Sequence, residues 1–165
     1  MIDIDTAAIR RLRDYFLDTD TSTVSEAPAL PEAALAAVLR RAEPFAETMS
    51  LMMMADGSAG DEEWRTLAGA FHVLTQGAAT DAMVAEMLET FAENLQRQGA
   101  ISRLQQIGAQ LSANVEDRET AFSLGAVVAL ADRTVDVRES ELIQVLAEYY
   151  GISNRRVDAL LNALD

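Results

Sequence analysis

The sequence predicts an all-α fold, and three observations support this prediction. Apolar residues recur at three- and four-residue spacing along most of the chain, as they do in helices that bury one face. Alanine and leucine dominate, whereas runs of β-branched residues are rare. The chain has 165 residues, half of them hydrophobic, and this length suits one well-packed domain better than two. We therefore expect a bundle of about eight or nine helices joined by short connections.

The first 30 residues are expected to form an extension that precedes this domain. The spacing of apolar residues predicts a short helix over Thr6–Leu17. The stretch that follows, Asp18–Leu30, is rich in Asp, Thr, Ser and Pro, which is typical of a loop, and we expect this loop to be mobile. Residues 31–165 are then expected to form a single helical domain.

Prolines and glycines mark the expected helix ends within that domain. Pro31 suits a first helical position, because its missing N–H would have no partner there in any case. The first helix is predicted to end near Ala42, and Pro44 is expected to begin a second helix that ends near Ala55. Thr80 is expected to cap a helix that ends at Gln98, with Gly99 just past its end. The remaining helices are predicted at Asp61–Thr75, Ile101–Ser112, Glu116–Ala131, Val137–Tyr150 and Ser153–Leu164.

Charge and composition exclude several classes of function. The net charge of -14 repels nucleic-acid phosphates and anionic membranes, and it favours cations and basic protein patches as partners. The absence of cysteine excludes disulfides, thiolate metal sites and cysteine nucleophiles. No signal peptide is recognisable, and no apolar run approaches the ~20 residues that cross a membrane. We therefore expect a cytoplasmic protein with no nucleic-acid partner and no direct membrane insertion.

Two segments resemble each other at an offset of 76 residues: SLMMMADGSAGDEEWRTLAGAF from Ser50, and AVVALADRTVDVRESELIQVLA from Ala126. In each, an apolar helix ends in Ala-Asp, an acidic turn follows, and an acid seven residues after the Asp begins the next helix. A helix pair of this kind leaves an apolar face that a second copy can cover. The pattern therefore predicts an internal two-fold repeat of helix–acidic turn–helix, over residues 45–76 and 121–152.

This duplicated pattern resembles the tellurite-resistance TerB family. The first copy carries the likeness in Ala55-Asp56-Gly57, Ala59 and Glu63, and the second copy departs from it at Arg133, where glycine is usual. The resemblance covers Leu35–Leu164 and implies a TerB-like all-α fold. It also implies a role in the response to tellurite and related metal stress, an acidic surface that binds divalent metal, and association with membrane-bound resistance components at the inner membrane. It implies no catalytic activity.

The two acidic turns carry the candidate metal ligands. Their carboxylates are Asp56, Asp61, Glu62 and Glu63 in the first turn, and Asp132, Asp136 and Glu139 in the second. Several carboxylates held together by a tight turn suit a hard divalent cation such as calcium or magnesium. If the two halves pack about a two-fold axis, both turns face the same side of the molecule.

A structural role is the alternative for these acids. Acidic residues in the first turn of a helix are stabilised by the helix dipole, and Asp136 and Glu139 have the spacing of a capping box. This role does not explain Asp56 and Asp132, because a negative charge at the carboxyl end of a helix opposes the dipole. Their charge calls for compensation by a cation or by a neighbouring arginine, for which Arg65 and Arg138 are the candidates.

Two other features are expected to be structural. His72 is the only histidine, and one imidazole with no thiolate makes a poor transition-metal site, so we expect a packing or surface role. Four methionines, Met49, Met52, Met53 and Met54, have the spacing of a buried helix face and are expected in the core.

Three functions remain open from the sequence. The first is a non-enzymatic accessory protein of tellurite or metal-stress resistance, whose paired acidic turns bind a divalent cation or a basic protein partner. The second is a metal-free interaction scaffold that recognises basic surfaces through the same acidic face. The third is a carboxylate-dependent hydrolase, which requires a concave pocket at the turns and carboxyl groups of raised pKa.

Overall fold

The computed structural model describes residues 31–75, 77–130 and 137–164 except for residues 55–60, and only the backbone of residues 61–64, 66 and 137–139. These described ranges contain seven α-helices and no strand, in agreement with the predicted fold class. The helices are α1 (Glu32–Met54), α2 (Asp61–Leu74), α3 (Asp81–Gln98), α4 (Ala100–Gln110), α5 (Val115–Ala129), α6 (Val137–Tyr149) and α7 (Asn154–Leu164). The helix predicted at Thr6–Leu17 and the loop predicted at Asp18–Leu30 lie outside the described residues.

The predicted helix boundary at Pro44 is wrong, because α1 continues through this proline as one helix of 23 residues. Proline within a helix removes one hydrogen bond and costs about 3 kcal/mol. The residues on both sides of it are buried: Ala42 and Ala46 are 0% exposed and Phe45 is 1% exposed. Continuous burial of one helix face outweighs the local cost of the proline.

Two helices, α1 and α5, form the centre of the domain. Residues 45–52 of α1 and residues 120–127 of α5 are buried without interruption, so both helices are covered on all sides over two turns. The two make the most extensive helix–helix contact of the described chain. Helices α2, α3 and α4 also pack against α1, whereas α6 and α7 pack against α5.

The central helices run in the same direction. Arg41, in the middle of α1, pairs with Asp117 in the first turn of α5. About two turns further along each helix, Gly125 lies against Thr48 and Met52. Because the residue numbers of both partners increase from the first contact to the second, α1 and α5 are parallel neighbours. Their carboxyl ends therefore lie at the same end of the pair.

Three consecutive residues in the first turns of α5, residues 117–119, bind three different helices. Asp117 accepts two hydrogen bonds from the guanidinium of Arg41, and these hydrogen bonds raise the pKa of the arginine. The next residue, an arginine, donates from Nη1 to the carbonyl oxygen of Tyr150 at the end of α6, at 3.2 Å. The third, a glutamate, accepts hydrogen bonds of 2.7 and 2.6 Å from Arg156 of α7. The amino end of α5 therefore fixes α1, α6 and α7 relative to one another.

Local signals set the ends of several helices. Thr80 caps α3 as predicted, since its hydroxyl accepts a hydrogen bond of 3.3 Å from the N–H of Met83. Asn114 caps α5 in the same way, through the N–H groups of Glu116 and Asp117. Gly151 ends α6 with a φ of 65°, a left-handed conformation that favours glycine.

A glycine also allows α4 to approach the carboxyl end of α6. A Cβ atom on Gly108 would fall well inside van der Waals contact with the backbone carbonyl oxygen of Tyr149. At Gly125, by contrast, an added Cβ atom would meet the Leu146 side chain at 2.7 Å and that of Thr48 at 3.1 Å. The first obstacle is backbone and the second is side chain, so the first is harder to displace.

We expect Gly108→Ala to destabilise the fold by about 1–3 kcal/mol, because α4 must move away from α6 to admit the methyl group. This loss should exceed the gain of about 1 kcal/mol that alanine brings to a helix interior. Gly125→Ala serves as the comparison and should cost less, since side chains can adjust. Urea unfolding of both variants measures the difference. A Gly108→Ala protein as stable as the wild type would contradict the close approach of α4 and α6.

Candidate functional site

The seven predicted ligands all fall at the two helix connections, and their side chains lie outside the described residues. Asp56, Asp132 and Asp136 belong to the connections themselves, and only the backbone is described for Asp61, Glu62, Glu63 and Glu139. Glu63 is the third residue of α2 and Glu139 is the third residue of α6, so both lie in a first helical turn, where the sequence places them. Asp136 directly precedes α6 in the sequence.

The described helices constrain where the two connections begin and end. The first joins Met54 at the end of α1 to Asp61 at the start of α2, and the second joins Ala129 at the end of α5 to Val137 at the start of α6. Because α1 and α5 are parallel neighbours, both connections leave from the same end of the central pair. Each is so short that the start of the following helix lies within about 30 Å of the end of the preceding one.

The helix dipoles at this end have opposite signs. The carboxyl ends of α1 and α5 contribute two partial negative charges, and the amino ends of α2 and α6 contribute two partial positive charges. Acids at the amino ends are stabilised by the nearby N–H groups, whereas acids at the carboxyl ends are not. Arg65, one candidate for compensating them, is exposed and has no carboxylate partner among the described side chains. The side chain of Arg138, the other candidate, is not described.

No candidate metal site is present among the side chains that the structure describes. Among them, no three histidine, aspartate or glutamate side chains come together in a group that holds a metal ion. His72, as expected, has a structural role: its Nε2 lies 2.8 Å from Oδ1 of Asp81 and joins the last turn of α2 to the first turn of α3. Its ring is 13% exposed, whereas the Asp81 side chain is 98% exposed.

The methionines follow the predicted helix face in part. Met49 and Met52 are buried, at 0% and 6% exposure. Met53 and Met54, in the last turn of α1, are only half-buried, and Met53 packs against the core. These two half-buried residues immediately precede the first acidic turn in the sequence.

A buried ion pair, which sequence reasoning missed, joins α1 to α4. Arg103 donates hydrogen bonds of 2.6 and 2.7 Å to the two carboxylate oxygens of Glu47, and these hydrogen bonds raise the pKa of Arg103. The side chains are 2% exposed for the glutamate and 11% for the arginine. Arg103 also donates to Gln106 at 2.6 Å, so most of its donors have partners. The only sequence signal was a charged residue inside an apolar run, and the two residues are 56 positions apart.

A second buried polar contact lies one residue further along α1. The hydroxyl groups of Thr48 and Tyr150 form a hydrogen bond, and Thr48 also donates to the Pro44 carbonyl oxygen at 2.7 Å. Because the single threonine proton goes to that carbonyl, the phenol is the donor to Thr48. Burial raises the pKa of Tyr150, and the nearby Glu47 carboxylate raises it further; a hydrogen bond donated by Thr48 to the ionised phenol acts in the opposite direction.

Removing one member of the buried ion pair should be costly. We expect Arg103→Met to reduce the free energy of unfolding by about 3–5 kcal/mol, because Glu47 is left as an unpaired buried carboxylate. The double variant with Glu47→Met should regain most of that loss. Arg156→Met is the matched control: this arginine also makes two hydrogen bonds to one carboxylate, but its side chain is 52% exposed, so its loss should cost far less than that of Arg103. Equal losses for Arg103→Met and Arg156→Met in urea unfolding would contradict the burial of the first pair.

Tyr150 should make the fold sensitive to alkaline pH. Its raised folded pKa means that the folded chain keeps the phenol proton above pH 10.0, where the unfolded chain loses it. The stabilisation that the protonated phenol provides is complete below pH 10.0 and is lost as the pH rises above this value. Tyr150→Phe should cost about 1 kcal/mol at neutral pH and should remove this alkaline loss. Urea unfolding up to about pH 11 measures it, and Tyr149→Phe, at the half-buried neighbour, should keep the wild-type slope.

The comparisons with known proteins agree with the resemblance seen in the sequence. A family model described as tellurite resistance protein TerB matches residues 42–162, which covers most of the chain and every described helix apart from the first turns of α1 and the last two residues of α7. Searches of curated proteins and of solved structures give no significant match. None of the described helices is long and apolar enough to cross a membrane. On the extent of the family match, the chain belongs to the TerB family of tellurite resistance proteins.

Proposed function

We propose that this chain is a non-enzymatic accessory protein of tellurite or metal-stress resistance, and that its two acidic turns together bind a divalent cation such as calcium or magnesium. The proposed ligands are drawn from Asp56, Asp61, Glu62, Glu63, Asp132, Asp136 and Glu139. Membership of the TerB family supports the connection with tellurite resistance. The parallel packing of α1 and α5 is the observation that carries the cation proposal.

Parallel packing supports the proposal because both turns begin where these central helices end. Two antiparallel helices would send the turns to opposite ends of the molecule, and no common site would be possible. The internal repeat is part of the same proposal. It is supported by the starts of α2 and α6, Asp61 and Val137, which are 76 residues apart, and by the pairing of Arg41 with Asp117 at the same separation.

Electrostatics favours a cation at this end. Asp56 and Asp132 follow the carboxyl ends of two parallel helices, so each carboxylate adds to a partial negative charge. Calcium and magnesium both prefer oxygen ligands, and calcium accepts six to eight of them in flexible geometry. A cation shared by the two turns would neutralise this negative charge.

A basic protein partner is the alternative ligand for the same surface, and the net charge of -14 favours it. Three arginines of the described chain, Arg41, Arg103 and Arg156, are already paired with carboxylates of neighbouring helices. Because these positive charges are neutralised by their partners, the remaining acidic groups on the surface dominate the electrostatic potential that a protein partner meets. Membrane-bound resistance components with basic segments are the partners that this alternative proposes.

Calorimetric titration of metal-stripped protein with calcium, magnesium and manganese tests the proposal. We expect saturable binding of at least one of these ions, accompanied by a higher Tm. Asp56→Asn combined with Asp132→Asn should weaken binding at least about tenfold, equivalent to about 1.4 kcal/mol, because one ligand is lost from each turn. Binding heat and the shift in Tm are the measurements.

Glu86→Gln combined with Glu93→Gln is the matched control, because it removes the same charge from exposed positions of α3. This control should bind the cation as the wild type does. Equal weakening in both double variants would show a general charge effect and no site. Absence of heat and of any stabilisation with all three ions would exclude the cation and leave the basic partner, whose binding should fall with salt and should not respond to a chelator.

A further inference from the structure

The inward-facing stripe of α1 extends beyond the core that covers it. From residue 42 onward the stripe is buried, with Ala42, Phe45, Ala46 and Met49 at 0–1% exposure. At the same helical spacing towards the amino end, Leu35, Val38 and Leu39 are only half-buried. The alanines between them, residues 33, 34, 36 and 37, are exposed. The first two turns of α1 are thus apolar all round and are incompletely covered, although such a helix is normally buried.

The incompletely covered turns lie just before the region that matches the family. The match to the TerB model begins at residue 42, where burial of the stripe begins, so these turns and the residues before them both precede the matched region. The two are contiguous in sequence. A cover for the stripe is therefore available in the same chain.

The preceding segment has the pattern that such a cover requires. In a helix over Thr6–Leu17, the residues Ala8, Ile9, Leu12, Tyr15 and Phe16 occupy one face, at positions i, i+1, i+4, i+7 and i+8. Arg10, Arg11, Arg13 and Asp14 occupy the other face. This helix would be about 18 Å long, enough to cover the first two turns of α1, which span about 11 Å.

We propose that Thr6–Leu17 forms an amphipathic helix that packs its apolar face on Leu35, Val38 and Leu39 of the same molecule. The 14 residues between Leu17 and Glu32 reach up to about 50 Å, enough to return the segment along α1 in either direction. The net positive charge of the segment also favours its retention on a chain of net charge -14. This contact lies at the amino end of α1, opposite the acidic turns, so it is independent of the cation proposal.

A nitroxide label tests the contact in the full-length protein. The chain has no cysteine, so Ala37→Cys, at an exposed alanine beside the stripe, provides a single labelling position. We expect the label to broaden the amide resonances of Thr6–Leu17, relative to the same sample after reduction of the nitroxide. Leu12→Asp should abolish this broadening, because it places a charge on the apolar face. Leu17→Asp is the matched control, since it makes the same substitution on the other face, and it should leave the broadening intact.

A mixed sample distinguishes the segment from a second copy of the chain. It contains nitroxide-labelled protein without isotope and isotope-labelled protein without nitroxide. We expect no broadening of Thr6–Leu17 in this mixture. Broadening there would assign the stripe to a second copy and overturn the proposal. Absence of broadening within one molecule, or equal effects of Leu12→Asp and Leu17→Asp, would overturn it as well.

Discussion

The parallel contact between α1 and α5 is the interaction on which the rest of the structure depends. Every other described helix packs against α1 or α5. Both of these central helices are buried on all sides over two turns. Close approach is possible because a glycine, Gly125, faces Thr48 and Met52. The ion pair between Arg41 and Asp117 holds the same two helices about two turns before this contact. Contact at two levels fixes both the direction and the axial register of the pair.

Buried hydrogen bonds fix the relative positions of the helices more strictly than apolar contacts alone, because hydrogen bonds depend on direction. Glu47 and Thr48 are adjacent on α1, yet they bind different helices: the first pairs with Arg103 of α4 and the second with Tyr150 at the end of α6. A small rotation or translation of α1 would break both contacts and leave buried groups without partners, which costs about 1–3 kcal/mol for each neutral group. The carbonyl of Tyr150 is held in addition by α5. The buried polar groups thus fix α4 and α6 relative to the central pair.

Features encoded within one or two turns were predictable from the sequence, and those encoded by distant residues were not. Thr80 and Gly99 mark the ends of α3 through local hydrogen bonds and backbone conformation, so the pattern located them. Pro44 has an equally clear local signal but does not end a helix, because burial on either side of it decides the outcome. The pairing of Glu47 with Arg103 joins residues that one sequence gives no reason to connect. The acidic turns were found by their repetition, and their carboxylates remain a prediction.

The parallel arrangement also gives the acidic turns a physical consequence. In an antiparallel helix pair the dipoles oppose each other, whereas in α1 and α5 two negative ends lie side by side. On the proposed function, Asp56 and Asp132 add formal charge there, and repulsion between the two turns acts against the contact that organises the core. A bound cation or basic partner removes that repulsion. Ligand binding and the packing of α1 on α5 are then linked, and the ligand stabilises the folded domain in proportion to its occupancy.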